Sequence, residues 1–121
     1  MMGYGVSEKE NTEMRKAVTG VLKTMRDVMD INPGMPAAQI YVLMLVTLNE
    51  GKSPQELADM SGIRKATMSR YLLDLSDKLR TGDSGYKLIN RDIDPEELRR
   101  NMYTLAPRGR HFINNVVSYF A

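Results

Sequence analysis

The residues with the most chemistry in this sequence are basic or hydroxylated, and they fall together. Residues 62–70 read GIRKATMSR: Arg64, Lys65 and Arg70 supply cations, Thr67 and Ser69 supply hydroxyls, and Ala66 is small. That mixture at the head of a helix suits a major groove, which is wide enough to admit an α-helix. An arginine such as Arg70 can pair with both acceptor atoms of a guanine, and hydroxyls bond phosphates or base edges. The same residues also suit a solvated helix face, so the surrounding chain must decide.

A second basic group follows. Lys87 and Arg91 precede, and Arg99 and Arg100 follow, a turn-forming stretch IDPEEL at residues 93–98. Arginines on a hairpin suit a DNA backbone or a minor groove, whose negative potential favours them. Four acids share the tip: Asp92, Asp94, Glu96 and Glu97. They can simply pair with the arginines, or one can orient an arginine while the rest face solvent. The second arrangement is the one expected.

Catalysis finds no support. GDSG at residues 82–85 copies a protease nucleophile motif, but that chemistry needs a base and an orienting acid on a much larger scaffold. His111 is the only histidine, and the chain has no cysteine. Thiolate sites and disulfides are thereby excluded. The acids at 92–97 have no histidine nearby, so no metal site is expected beyond a loose calcium contact. Gly3-Tyr4-Gly5 precedes any strand and is no phosphate loop. No catalytic residue, metal or cofactor is expected.

At 121 residues the chain is long enough for one domain with a core. The N-terminal stretch lacks an apolar segment of the kind that heads a secreted protein, so none is expected to direct export. Ala37–Leu48 is the most apolar run, too short to span a bilayer, which takes about 20 residues. A cytoplasmic, nucleoid-associated location is expected, with no membrane partner. The ten methionines are scattered mostly at helical spacing and read as core filler, with an adaptable ligand pocket as the alternative. Net charge is only +2, but its distribution is uneven: residues 1–63 carry a net of −2 and residues 64–121 a net of +4. The excess cation begins where the candidate groove helix begins.

Five helices and a hairpin must position these groups. Ser7 with Glu10 reads as a capping box for a helix to about residue 31, with Met14, Val18, Val21, Leu22, Met25, Val28 and Met29 at three- and four-residue steps. Asn32-Pro33-Gly34 ends it. A nearly all-apolar second helix spans 36–50. Ser53 and Pro54 open a short third helix that stops near Ser61-Gly62. The fourth covers 65–79, with Met68, Leu72, Leu75 and Leu79 on one stripe. Ile63 is the expected buried plug in the turn, and Ala58 leaves room for a close helix crossing. Residues 86–92 and 99–105 read as strands. Pro107 opens a last helix to about residue 120, with Phe112, Val116, Tyr119 and Phe120 apolar.

Two helices around a tight glycine turn, followed by a basic hairpin, form a winged helix-turn-helix. The fold class is mostly α with a small β hairpin, in the order α-α-α-α-β-β-α, as a single domain. The run SPQELADMSGIRKATMSRYLLDLSDKL followed by DPEELRRNMYTLAPRGRHFI resembles the MarR family of bacterial winged-helix regulators over roughly residues 36–115. Ser69-Arg70 matches the family's hydroxyl-plus-arginine pair. Glu97-Leu98-Arg99 stands where an Asp-x-Arg element belongs, and Leu105, Ala106 and Gly109 match the next junction. RTGDSGYK at residues 80–87 is longer than the family usually has, and members commonly add a further C-terminal helix.

The resemblance implies a dimeric, sequence-specific regulator of double-stranded DNA, most simply a repressor at a pseudo-palindromic site. Arg64, Lys65, Ala66, Thr67, Ser69 and Arg70 would form the recognition helix, and Ser53 and Gln55 the helix before it. Lys87, Arg91, Arg99 and Arg100 would form the wing. Residues 7–31 and 107–121 would make the homodimer through Val18, Leu22, Met25, Phe112, Val116, Tyr119 and Phe120. Nothing indicates a small-molecule effector. The alternatives are a winged helix that binds a host or replication protein, and a replication-control protein acting at an origin.

Overall fold

The computed structural model of the protein describes residues 7–121, so Gly3-Tyr4-Gly5 lies outside the described residues. The element order is α1 (Glu8–Ile31), α2 (Ala37–Leu48), α3 (Pro54–Ser61), α4 (Lys65–Leu75), β1 (Ile89–Ile93), β2 (Asn101–Leu105) and α5 (Pro107–Tyr119). This is the expected winged helix-turn-helix order. Two compact units emerge: Met35–His111, and the segment up to Gly34 with Phe112–Ala121. Among the described residues no helix is long and apolar enough to cross a membrane.

The Met35–His111 unit is built around α2, whose Val42, Leu43 and Val46 are almost fully buried. Helix α4 packs on both α2 and α3 through Met68, Leu72 and Leu75, all at 0% exposure. That stripe has the spacing read from the sequence. Helix α4 stops four residues early, however. Ser76 leaves helical geometry (φ −108°, ψ −84°), and its Oγ donates to the Leu72 carbonyl at 2.7 Å. The next backbone groups then turn back: Tyr86 N–H donates to Asp74 O, Lys87 to Ser76 O and Leu88 to Leu75 O. Leu79 therefore lies beyond the helix. The 76–88 segment occupies the end of α4 instead of extending it.

The hairpin is antiparallel, with Ile89 opposite Leu105 and Ile93 opposite Asn101. β1 starts three residues later than its sequence suggests, because Lys87 takes a left-handed conformation (φ 59°) that no strand tolerates. The stretch before α3 also pairs with the hairpin. Gly51 N–H donates to Tyr103 O at 2.8 Å, and Tyr103 N–H donates to Lys52 O at 3.1 Å. These two bonds fix the wing to the start of α3.

In the other unit, Ser7 caps α1 by accepting from Glu10 N–H at 3.1 Å. The buried side of α1 is narrow: Gly20, Thr24 and Val28, spaced by four. The Phe120 ring lies over Gly20, where only glycine leaves room for it as placed. Tyr119 Oη donates to Asp27 at 2.6 Å, and this bond raises the tyrosine pKa by stabilising its protonated form. The long apolar stripe of α1 faces outward instead. Met14, Val18, Val21, Leu22, Met25 and Met29 are 39–60% exposed.

Candidate nucleic-acid interface

The helix-turn-helix is set by local chemistry. At the head of α3 a complete capping box forms: Glu56 N–H donates to Ser53 Oγ, and Ser53 N–H donates to Glu56 Oε1 at 3.0 Å. Proline occupies the first turn, where its missing N–H costs nothing. At the other end Gly62 adopts φ 76° and donates its N–H to Ala58 O at 2.9 Å, the left-handed cap that glycine allows. Ala58 is buried as the close crossing requires, whereas Ile63, expected as a buried plug, is only half-buried. Arg64 then enters α4 in extended geometry with no side-chain cap.

The first turn of α4 is open to solvent. Arg64, Lys65, Ala66 and Thr67 are exposed, while Ser69 and Arg70 are half-buried. A cleft of about 390 Å³ joins this turn to its neighbours. Ser53 and Gln55 from the start of α3, Lys65 and Ser69 from α4, and Arg99 and Arg100 from the wing all line it. Residues from the three groups singled out in the sequence thus share one concave surface. Ser53 contributes little free hydroxyl, since it is 7% exposed and occupied by the cap. Gln55 is exposed and donates to Asp59 at 2.8 Å.

Lys87 and Arg91 lie elsewhere. They line a second cleft of about 440 Å³ with Ser76, Asp77, Asp92 and Arg108. Arg91 is held there by Asp77, with Nη2 at 2.7 Å and Nε at 2.8 Å from one carboxylate oxygen.

The wing arginines divide their work. Asp94 N–H donates to Arg100 O, and Arg100 N–H donates to Glu97 O, which closes a turn with Leu98 and Arg99 at its apex. Arg99 projects from that apex with no ionic partner among the described residues. Arg100 turns inward, where Asp94 Oδ2 accepts from Nη1 at 3.1 Å and Glu56 Oε1 accepts from Nη2. One guanidinium thereby links the wing turn to the α3 capping box. The Glu56 carboxyl is held below its ordinary pKa. The Ser53 N–H is the largest cause, opposed by partial burial and helped by the Ser53 hydroxyl, Arg100 and Lys52. Of the four acids at the tip, Asp94 orients an arginine and Asp92, Glu96 and Glu97 are exposed.

Asn101 also lines the cleft, and no local signal distinguishes it from other polar strand residues; Glu97, one of the four tip acids, lines it too. Glu56 as the anchor of Arg100 had a partial signal, since Ser53 and Glu56 have capping-box spacing. Among the described residues no cluster of acids, histidines or cysteines could hold a metal ion.

No protein-family model matches the sequence, and no curated protein matches it. Solved structures do match. MarR is 21% identical at TM-score 0.61, over 93% of this chain and 75% of that one. The transcriptional regulator Tm0710 from Thermotoga maritima is 23% identical at TM-score 0.63, over 88% of this chain and 66% of that one. The transcriptional repressor CouR, solved bound to a 23-mer DNA duplex, is 21% identical at TM-score 0.61, over 98% of this chain and 72% of that one. The chain spans about two thirds to three quarters of the length of these proteins. From its element order, its glycine turn, its hairpin and these likenesses, the chain has the winged helix-turn-helix fold of the MarR-type transcription regulators.

Proposed function

We propose that this protein is a sequence-specific double-stranded DNA-binding transcription regulator that acts as a dimeric repressor in the cytoplasm. One observation carries the reading: Ser53 and Gln55 at the start of α3, Lys65 and Ser69 of α4, and Arg99 and Arg100 of the wing line a single cleft. In a winged helix that surface meets the phosphate backbone while the helix enters the major groove. Arg64 and Lys65 would contact phosphates, Ala66, Thr67 and Ser69 would face base edges, and Arg99 would reach the adjacent minor groove. CouR, similar in fold, is a repressor solved on DNA, which supports the same assignment.

The outward stripe of α1 supports dimerisation. Val18, Leu22 and Met25 are 39–60% exposed, and Phe120 is 45% exposed. Apolar surface of that extent on one helix calls for a partner, and a second copy supplies the same stripe. Val116 and Tyr119 are half-buried and would add to the rim, whereas Phe112 is already covered at 5% exposure. A two-fold dimer would present two α4 helices to successive grooves about 34–36 Å apart, hence a pseudo-palindromic site.

A second reading rests on the ion pairs. Arg70, Arg91 and Arg100 are each held by a carboxylate, so the basic surface is partly neutralised. A protein partner would suit such a surface. Fluorescence anisotropy with random duplex at low salt separates the two. Measurable affinity that falls steeply with salt supports the DNA reading, and no binding at any salt overturns it in favour of a protein partner.

A further inference from the structure

Arg70 has the position of a base reader, but its contacts are those of a clamp. We infer that Arg70 is a positioning residue for the recognition helix, and that base reading falls to the first-turn residues before it. This rests on the proposed DNA-binding function and assigns work within that site.

The guanidinium points along α4 toward its C-terminal end. Nη2 donates to Asp74 Oδ1 at 2.7 Å, one turn on, and lies 3.4 Å from the Lys78 carbonyl beyond the helix. The exposed reading turn at Arg64–Thr67 lies in the opposite direction along the helix. Asp74 is itself fixed. Its Oδ2 accepts from Gln39 Nε2 at 3.3 Å, and the same amide lies 3.4 Å from the Tyr71 carbonyl. Gln39 belongs to the buried α2 and is 2% exposed. The chain Arg70–Asp74–Gln39 therefore connects the recognition helix to the central helix of its unit.

Arg70 Nε is buried with no hydrogen-bond partner. A lone buried donor is unfavourable, so the guanidinium occupies this position because its other contacts outweigh that cost. Guanine recognition needs two parallel N–H groups of one arginine presented outward. Here Nη2 is engaged and Nε is buried, which leaves no free pair. The carbonyl contact also ties Arg70 to the 76–88 segment that displaced the last turn of the expected helix. The clamp therefore bears on how α4 seats on α2, while the backbone bonds of residues 86–88 end the helix.

Four variants test this: Arg70→Lys, Arg70→Ala, Asp74→Asn and the double Arg70→Ala/Asp74→Asn. Lysine keeps a cation for Asp74 but lacks the planar fork that reads guanine. Unfolding of the DNA-free proteins comes first. The clamp predicts that each alanine or asparagine variant melts earlier and that the double variant is less destabilised than the two losses added. Additive losses, or an unaltered Arg70→Ala, would overturn it. Selection from a random duplex library comes second. Arg70→Lys should retain the wild-type consensus at every position, and Asp74→Asn should weaken binding to all sequences by a common factor. A consensus relaxed at one base step in Arg70→Lys, or tighter binding by Asp74→Asn, would show that Arg70 reads DNA once released. A wild-type protein that selects nothing refutes the proposed function instead, and the unfolding cycle still decides the clamp.

Discussion

Substituting Gly109 by alanine puts the junction between wing and last helix to a sharp test. Alanine normally stabilises a helix relative to glycine by about 1 kcal/mol. At this position the geometry reverses the sign. A Cβ on residue 109 would lie 1.9 Å from the Leu88 carbonyl oxygen, 3.0 Å from its carbon and 3.2 Å from Leu105 Cδ2. The obstacle is backbone, so relief requires α5 to move from the start of β1 by about 1 Å, the shortfall from the 3.0 Å floor of real contacts. The same carbonyl accepts from Ala106 N–H at 3.0 Å, a bond that such a movement breaks. Overpacking costs about 1–3 kcal/mol, and the lost hydrogen bond about 0.5–1.5 kcal/mol. After the propensity gain, Gly109→Ala should destabilise the protein by roughly 0.5–3.5 kcal/mol. Gly20→Ala is the control. There the three atoms nearest the Cβ all belong to the Phe120 ring, the closest at 2.6 Å, and that side chain is 45% exposed, so the obstacle is a side chain and not backbone. Gly20→Ala should be neutral or stabilising by up to about 1 kcal/mol. Urea denaturation of both variants, compared at unchanged slope, measures the difference. Equal stability of the two variants would refute the packing argument.

Further outcomes follow from the site. Arg99→Ala should weaken binding to all duplexes and lower the salt slope by about one per protomer, read from anisotropy across a salt series. Arg91→Ala removes an exposed pair with Asp77 and should alter stability by less than about 1 kcal/mol, measured by thermal melting. Ser53→Ala removes the α3 cap and should cost about 0.5–2 kcal/mol in urea. Because the folded pKa of Glu56 lies below its ordinary 4.5, its contribution is present above that pH and is lost as pH falls through the folded value. Glu56→Gln should therefore flatten the acid limb of a stability–pH profile. Leu22→Glu, on the outward stripe of α1, should shift the sedimenting species from dimer to monomer without unfolding it.

Much of the fold is legible because its signals are local. Ser53-Pro54 and Gly62 bound α3 through cap chemistry that acts over three or four residues. The Met68, Leu72, Leu75 stripe reports the buried side of α4 through helical periodicity alone. The same periodicity misleads at Leu79, where the stripe continues but the backbone does not. Residues 86–88 bond the last turn of α4, and that competition is set by the loop rather than by the helix sequence. In α1 the apolar stripe is correctly spaced, yet the side covered within the chain is Gly20, Thr24 and Val28. Periodicity finds an apolar face but does not say what covers it. The candidate site is legible as residue types and not as pairings. Arg100 meets Glu56 across 44 positions, and Arg91 meets Asp77 across 14. Only Arg70 carries a short-range sign of its anchor, Asp74 one helical turn on; nothing local marks Arg91 and Arg100 as anchored and Arg99 as available.

Selection of bound sequences from a random duplex library by the wild-type protein tests the DNA-binding claim most directly. The expected result is enrichment of a pseudo-palindrome whose half-sites are centred about one helical turn apart, 10–10.5 base pairs. A pool that stays random through successive rounds would contradict it.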